Sequence, residues 1–130
     1  MDGSVTSVAG PSLFSPGGTV RYITATSTFA STHRADDSPH LHGHAFSISV
    51  TELGSDSGVR LDLPADLEEV TSELHLHDLE EMLYGGRQEL DYIAAWIMER
   101  LLLRHPRIVE AEIWTLDRPS VRVGIRREIR

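Results

Sequence analysis

One alternation constrains this chain more than any other feature: His42-Gly43-His44 leads directly into Ala45-Phe46-Ser47-Ile48-Ser49-Val50. Successive side chains of an extended strand take opposite faces. His42 and His44 therefore share a face with Phe46, Ile48 and Val50, while Ser47, Ser49 and Thr51 take the other. This predicts a half-buried strand over residues 45–52, whose apolar face runs from a pair of imidazoles into a core. A second run, residues 19–29, is rich in β-branched and aromatic residues and predicts another strand. His33 lies just beyond it, and residues 34–39 form a polar loop. A hairpin would bring His33 back over His42 and His44. Three neutral imidazoles suit zinc, and three protein ligands leave a fourth position for water or substrate, the arrangement of catalytic zinc. The competing reading is a solvated His-rich loop that binds nothing.

Further along, Gly54-Ser55-Asp56-Ser57-Gly58 reads as a turn, with residues 59–63 a short extended piece, and Pro64 opens a helix. Apolar residues recur at helical spacing over residues 65–82, with a break expected near His75 to His77, and Tyr84-Gly85-Gly86 ends the run. Residues 90–104 carry the clearest amphipathic stripe, built from Leu90, Ile93, Ala94, Ile97, Met98, Leu101 and Leu102. Trp96 on this helix is assigned to packing, and Pro106 stops the helix after His105. Residues 108–115 and 119–125 predict two closing strands around a turn at Leu116-Asp117-Arg118. Strands at both ends with helices between them imply an α+β fold, an antiparallel sheet with helices on one face.

At 130 residues the chain makes one domain, residues 19–130, near the lower end of what supports a core alone, so oligomerisation is expected. Residues 1–18, rich in Ser, Gly and Pro, read as a flexible N-terminal extension. Cysteine is absent, which excludes disulfides, thiolate zinc ligands and a cysteine nucleophile. All 12 basic residues are arginine, so no lysine is available for Schiff-base chemistry; carbonyl activation must come from elsewhere, and a metal is the obvious candidate. The formal net charge is -8 and no basic stripe is present, which argues against a nucleic-acid partner. No apolar run reaches the length of a membrane span, and no signal peptide is evident, so a cytoplasmic protein is expected.

Phe29-x-x-x-His33, followed by His42-Gly43-His44 at the mouth of an alternating strand, resembles the zinc signature of the 6-pyruvoyltetrahydropterin synthase and 6-carboxytetrahydropterin synthase family. The element order is similar over residues 19–128. The resemblance implies the tunnelling fold (T-fold): a four-stranded antiparallel sheet with two main helices on one face, joined with other subunits into an oligomeric barrel with active sites at the subunit boundaries. It implies zinc ligands at His33, His42 and His44. Ser38 stands where members acting on dihydroneopterin triphosphate carry a cysteine, and a hydroxyl is a far weaker acid than a thiol. The family's Asp-His pair falls on Leu74 to Glu80. Aligned on Leu79, His75 takes the aspartate's place and Leu76 the histidine's; shifted by one residue, His77 takes the histidine's place beside Asp78. A solvated or packed histidine is the competing reading. Asp91 keeps the carboxylate of the family's P-T-x-E. The carboxylate that grips the pterin ring falls near Thr115 or Asp117, of which Asp117 could accept paired hydrogen bonds, with Glu112 as fallback. Arg34 is among the arginines that could gather around an anionic substrate at a subunit interface.

The resemblance thus implies a zinc-dependent lyase or synthase that acts on a small molecule, a dihydropterin-type substrate, by metal-assisted proton abstraction and elimination. His77 or His75 would shuttle the proton, oriented by Asp78 or by a neighbouring subunit's carboxylate. Two alternatives stand beside it. One is a repurposed member doing zinc-dependent lyase, aldolase or cyclase chemistry on another carbonyl compound; the other is a catalytically inactive zinc-binding assembly protein.

Overall fold

Thr, Ile, Tyr and Phe at alternating positions build two long strands, β1 (Tyr22–Arg34) and β2 (Leu41–Leu53), paired antiparallel from Tyr22↔Leu53 to Arg34↔Leu41. The structure is a computed structural model that describes residues 20–34, 41–54, 62–83 and 89–128, and of residues 33, 34, 41 and 42 the backbone alone. Both strands extend further toward their connection than the alternation predicts. His33 lies within β1, not just beyond it, because ladder pairing continues through His33↔His42. The predicted N-terminal extension, the 34–39 loop beyond Arg34, the glycine-rich turn after Gly54, the extended piece before Asp62 and the Tyr84-Gly85-Gly86 stop lie outside the described residues. Leu63 itself is already helical.

Pro64 occupies the first turn of helix α1 (Leu63–Leu74), whose buried face is Leu63, Leu67, Val70, Thr71 and Leu74. The long helical stretch breaks at His75 to His77 as expected, and a short helix α2 (Leu79–Met82) follows. Helix α3 (Leu90–Leu102) buries Ile93, Ala94, Trp96, Ile97, Met98 and Leu101, so Trp96 is a packing residue. Strands β3 (Ile108–Thr115) and β4 (Val123–Arg126) complete the sheet. The last strand is shorter than predicted. Residues 119–122 fold back on themselves, with Arg122 Nε donating to Pro119 O at 3.1 Å, and pairing with β3 runs only from Val123 to Arg126.

The order in the sheet is β1-β2-β3-β4, every neighbouring pair antiparallel. α1 lies against β1, and α3 against β3 and β4. The core fills the space between: Phe46, Ile48, Val50, Ala111 and Ile113 come from the sheet and Leu67, Leu74, Ile93, Ile97 and Leu101 from the helices. Phe29 and Phe46 are register partners whose rings stack at 5.1 Å, a cross-strand aromatic pair that fixes the register. On the opposite face Thr24, Thr26 and Thr28 are exposed, and Thr24 Oγ1 lies 3.0 Å from Thr51 Oγ1. Among the described residues no helix is long and apolar enough to cross a membrane. This topology gathers the end of β1, the start of β2, the end of β3 and the α1–α2 turn at one end of the sheet.

Candidate active site

His33 and His42 are register partners, and His44 lies opposite Ser31. Directly opposed residues share a face, as do residues two apart. All three histidine positions therefore fall on the helix-bearing face, at the end of the sheet, in line with Phe46. The His44 ring is partly buried and sits 6.1 Å from the Phe46 ring.

Asp117 reaches this end from β3. Leu116 N–H donates to Ala45 O at 2.9 Å and holds the chain against β2 beyond the last ladder pair. The Asp117 carboxyl is exposed and held below the usual carboxylate range, first by a hydrogen bond from the Thr115 side chain. Its own backbone amide and the charges of His44 and Arg118 act in the same sense, and desolvation opposes them. Because the folded pKa is depressed, this group's contribution to stability is present above its unfolded pKa and is lost as pH falls through the folded value. We expect Thr115→Val to move the Asp117 pKa up toward its ordinary value, read by carboxyl-carbon NMR titration. An unmoved titration would mean that the hydroxyl does not hold the carboxylate.

The α1–α2 turn docks on the outer edge of β1. Ser31 Oγ donates to Leu74 O at 2.5 Å, Leu76 N–H to Ala30 O at 2.6 Å and Thr32 N–H to His77 O at 3.2 Å, and Asp78 bridges Thr32 in parallel sense. To make these bonds Leu76 adopts φ 62°, a strained conformation for a leucine. The same docking sets the two histidine tautomers. His75 Nδ1 accepts the Ala30 N–H at 3.0 Å, which puts the proton of the neutral ring on Nε2. His77 Nδ1 lies 2.8 Å from His75 O and donates to it, which leaves Nε2 as the acceptor of its neutral ring. Asp78, expected to orient His77, caps α2, its Oδ1 accepting Glu80 N–H at 2.9 Å. His75 also closes a cleft of about 380 Å³ between β1 and α1, lined by Thr26, Ser27, Thr28, Thr71, Ser72 and Glu68.

Other expected residues fall less centrally. Asp91 is exposed in the first turn of α3. Glu112 binds Arg122 at 3.2 Å on the face away from the helices. Arg34 is placed by backbone alone, at the end of β1 opposite Leu41, and Ser38 lies outside the described residues. One constellation escaped the sequence reading: Glu52 and Asp66 flank the buried ring of His105 at the opposite end of the sheet. The signal was available, because Glu52 has the parity of Phe46, Ile48 and Val50 and so puts a carboxylate where the alternation calls for an apolar residue.

No family model matches the chain, and no curated protein matches it. Solved structures do. The 6-pyruvoyl tetrahydropterin synthase of Caenorhabditis elegans superposes with a TM-score of 0.70 at 13% identity, over 85% of this chain and 97% of that one. That of Plasmodium falciparum gives 0.60 at 15% identity, over 85% and 99%, and that of Plasmodium vivax 0.58 at 15%, over the same shares. Four antiparallel strands in sequence order, with their helices on one face, superpose on nearly the whole of each of these chains: the protein has the tunnelling fold of the 6-pyruvoyl tetrahydropterin synthases.

Proposed function

We propose that this chain is a zinc-dependent lyase or synthase of the pterin-synthase type, acting on a dihydropterin-type substrate by proton abstraction and elimination. The observation that carries the reading is the meeting, at one end of a tunnelling fold, of three histidine positions on one face with Asp117 and the His75–His77 turn. The donor set fits zinc: imidazoles only, in a chain without cysteine. Bound by His33, His42 and His44, zinc would supply Lewis-acid polarisation of a substrate oxygen and so acidify the neighbouring C–H.

The chain's own groups divide the remaining work. His77, its Nδ1 proton given to His75 O, presents Nε2 to take the proton from carbon. His75, whose Nδ1 is occupied by the Ala30 amide, presents Nε2–H as a donor to the leaving or carbonyl oxygen. Asp117, whose carboxyl the Thr115 side chain holds below the usual range, accepts paired N–H bonds from an aminopyrimidinone edge, and Arg34 and Asp91 flank the substrate. Ser38 stands in the thiol's place without its acidity. β1 and β4 are the sheet's two edges. Joining them between copies would hide unpaired backbone, close a barrel and set the sites at subunit boundaries, in a cytoplasmic homo-oligomer.

A second reading is favoured by one observation: His77 Nδ1 is held by the His75 carbonyl, and Asp78, the expected partner of the catalytic histidine, caps α2 through Oδ1. It keeps the zinc and the fold and changes the substrate to another small carbonyl compound. Incubating the zinc-loaded protein with dihydroneopterin triphosphate and following the mass of the product tests the first reading. Loss of triphosphate is expected. Unaltered substrate in the presence of stoichiometric zinc would overturn it in favour of the second.

A further inference from the structure

β3 outruns its ladder with β4. The last pair of that ladder is Ile113↔Val123, and residues 116–122, which join the two strands and carry Asp117, are all exposed. Leu116 and Val121, the large apolar residues of this connection, are 50% and 55% exposed, so no buried side chain anchors it. Hydrogen bonds set its path instead. Leu116 N–H donates to Ala45 O at 2.9 Å, and two turns follow in series: Arg118 N–H donates to Thr115 O and Val121 N–H to Arg118 O, each at 3.1 Å. Arg118 belongs to both turns, so what holds the second also holds the first, which contains Asp117.

The second turn is held by Arg122. Its guanidinium carbon lies 3.8 Å from the centre of the Trp114 ring, Nε donates to Pro119 O at 3.1 Å and Nη1 donates to Glu112 Oε1 at 3.2 Å. One planar group thus joins the turn to two residues of β3. Trp114 is 8% exposed and makes a fixed floor, and the register partner of Glu112 is Gly124, which has no side chain to compete for that carboxylate. As an ion pair the half-exposed contact with Glu112 is worth little; its value is direction. A guanidinium can stack on an indole while donating in its own plane to two acceptors, which an ammonium cannot do. The charges that act on the Asp117 carboxyl are those of His44 and Arg118, so Arg122 reaches Asp117 through the chain and not through its field.

We propose that Arg122 is a positioning residue: by clamping the 116–122 connection onto Trp114 and Glu112 it fixes Asp117 at the histidine end of the sheet, where the carboxylate takes the paired N–H groups of an aminopyrimidinone edge. What Asp117 binds follows from the lyase reading, on which this role rests; how it is held follows from the three contacts of Arg122. Glu112 gains a role as well, as an acceptor of the clamp and not as a substitute for Asp117. Because Arg122 acts through Asp117 and touches no reacting atom, its loss weakens substrate binding and leaves the proton transfers at His77 and His75 in place.

The test compares Arg122→Ala and Arg122→Lys with the unchanged, zinc-loaded protein, with folding followed by circular dichroism. In Arg122→Ala, hydrogen exchange at the Arg118 and Val121 amides is expected to quicken about tenfold, and KM for dihydroneopterin triphosphate to rise about tenfold with kcat within about twofold, the worth of roughly one charge-assisted hydrogen bond. Arg122→Lys keeps the charge but not the fork; it should behave as the alanine variant does, and serves in its place should that variant fail to fold. In an Asp117→Asn background, Arg122→Ala should raise KM no further, because the carboxylate through which it acts is already gone. Unchanged exchange at the two amides, a lysine variant that behaves as the unchanged protein, or effects on KM that add in the double variant would each overturn the role. An unchanged protein that turns over no dihydropterin would sink the lyase reading instead, and the exchange rates would still decide whether Arg122 holds the turn.

Discussion

His44→Ala is expected to release the zinc of the histidine triad and to lower turnover by about a thousandfold or more. Losing one of three protein ligands leaves two imidazoles, too few to retain the ion with an open coordination position. Lewis-acid assistance is worth several kcal/mol of barrier, and each ~1.4 kcal/mol is a factor of about ten in rate. The fold should survive, because His44 lies at the end of the sheet and outside the buried core cluster. Zinc content and kcat measured on the same dialysed sample check this together. A folded His44→Ala protein that keeps both a full complement of zinc and its activity would remove the triad from the chemistry.

The second large effect is expected at His77. Changing it to alanine should leave zinc content intact and lower kcat about 10²–10⁴-fold, the usual worth of a positioned proton carrier. His75→Ala should reduce kcat too, and also cost stability, because the Ala30 amide loses its acceptor, a loss of roughly 1 kcal/mol. The asymmetry follows from the tautomers: the His77 ring offers a lone pair outward, the His75 ring a proton. Turnover unchanged in both variants would end the acid/base proposal and leave a zinc-binding assembly protein as the better description.

Much of this site was legible along the chain, for a local reason. Strand periodicity is two, so the parity of His42, His44, Phe46, Ile48 and Val50 could be read without knowing what the strand packs against. The break between two helices at His75 to His77 was visible for a similar reason: the helical apolar spacing lapses there. What could not be read was which backbone groups that broken segment would meet. Sequence register left His75 and His77 interchangeable. Docking on β1 distinguished them, by giving the His75 ring an N–H from Ala30 and the His77 ring a carbonyl from His75. Nor could the order of residues show that Asp78 caps the short helix α2, a common use of an aspartate before a helix.

The two ends of the sheet show the same division. By itself the amino-acid order determined the α+β class, the strand and helix sequence and the common face of His42 and His44, because each follows from repeats within a dozen residues. Only the tertiary structure decided that Asp117 stands by His44, and that Glu52 and Asp66 close on His105 from strand and helix. Those partners lie 39 to 73 positions apart in the chain. No local pattern encodes such a distance; packing of the helices on the sheet brings the charges together, and burial then makes their pairing count.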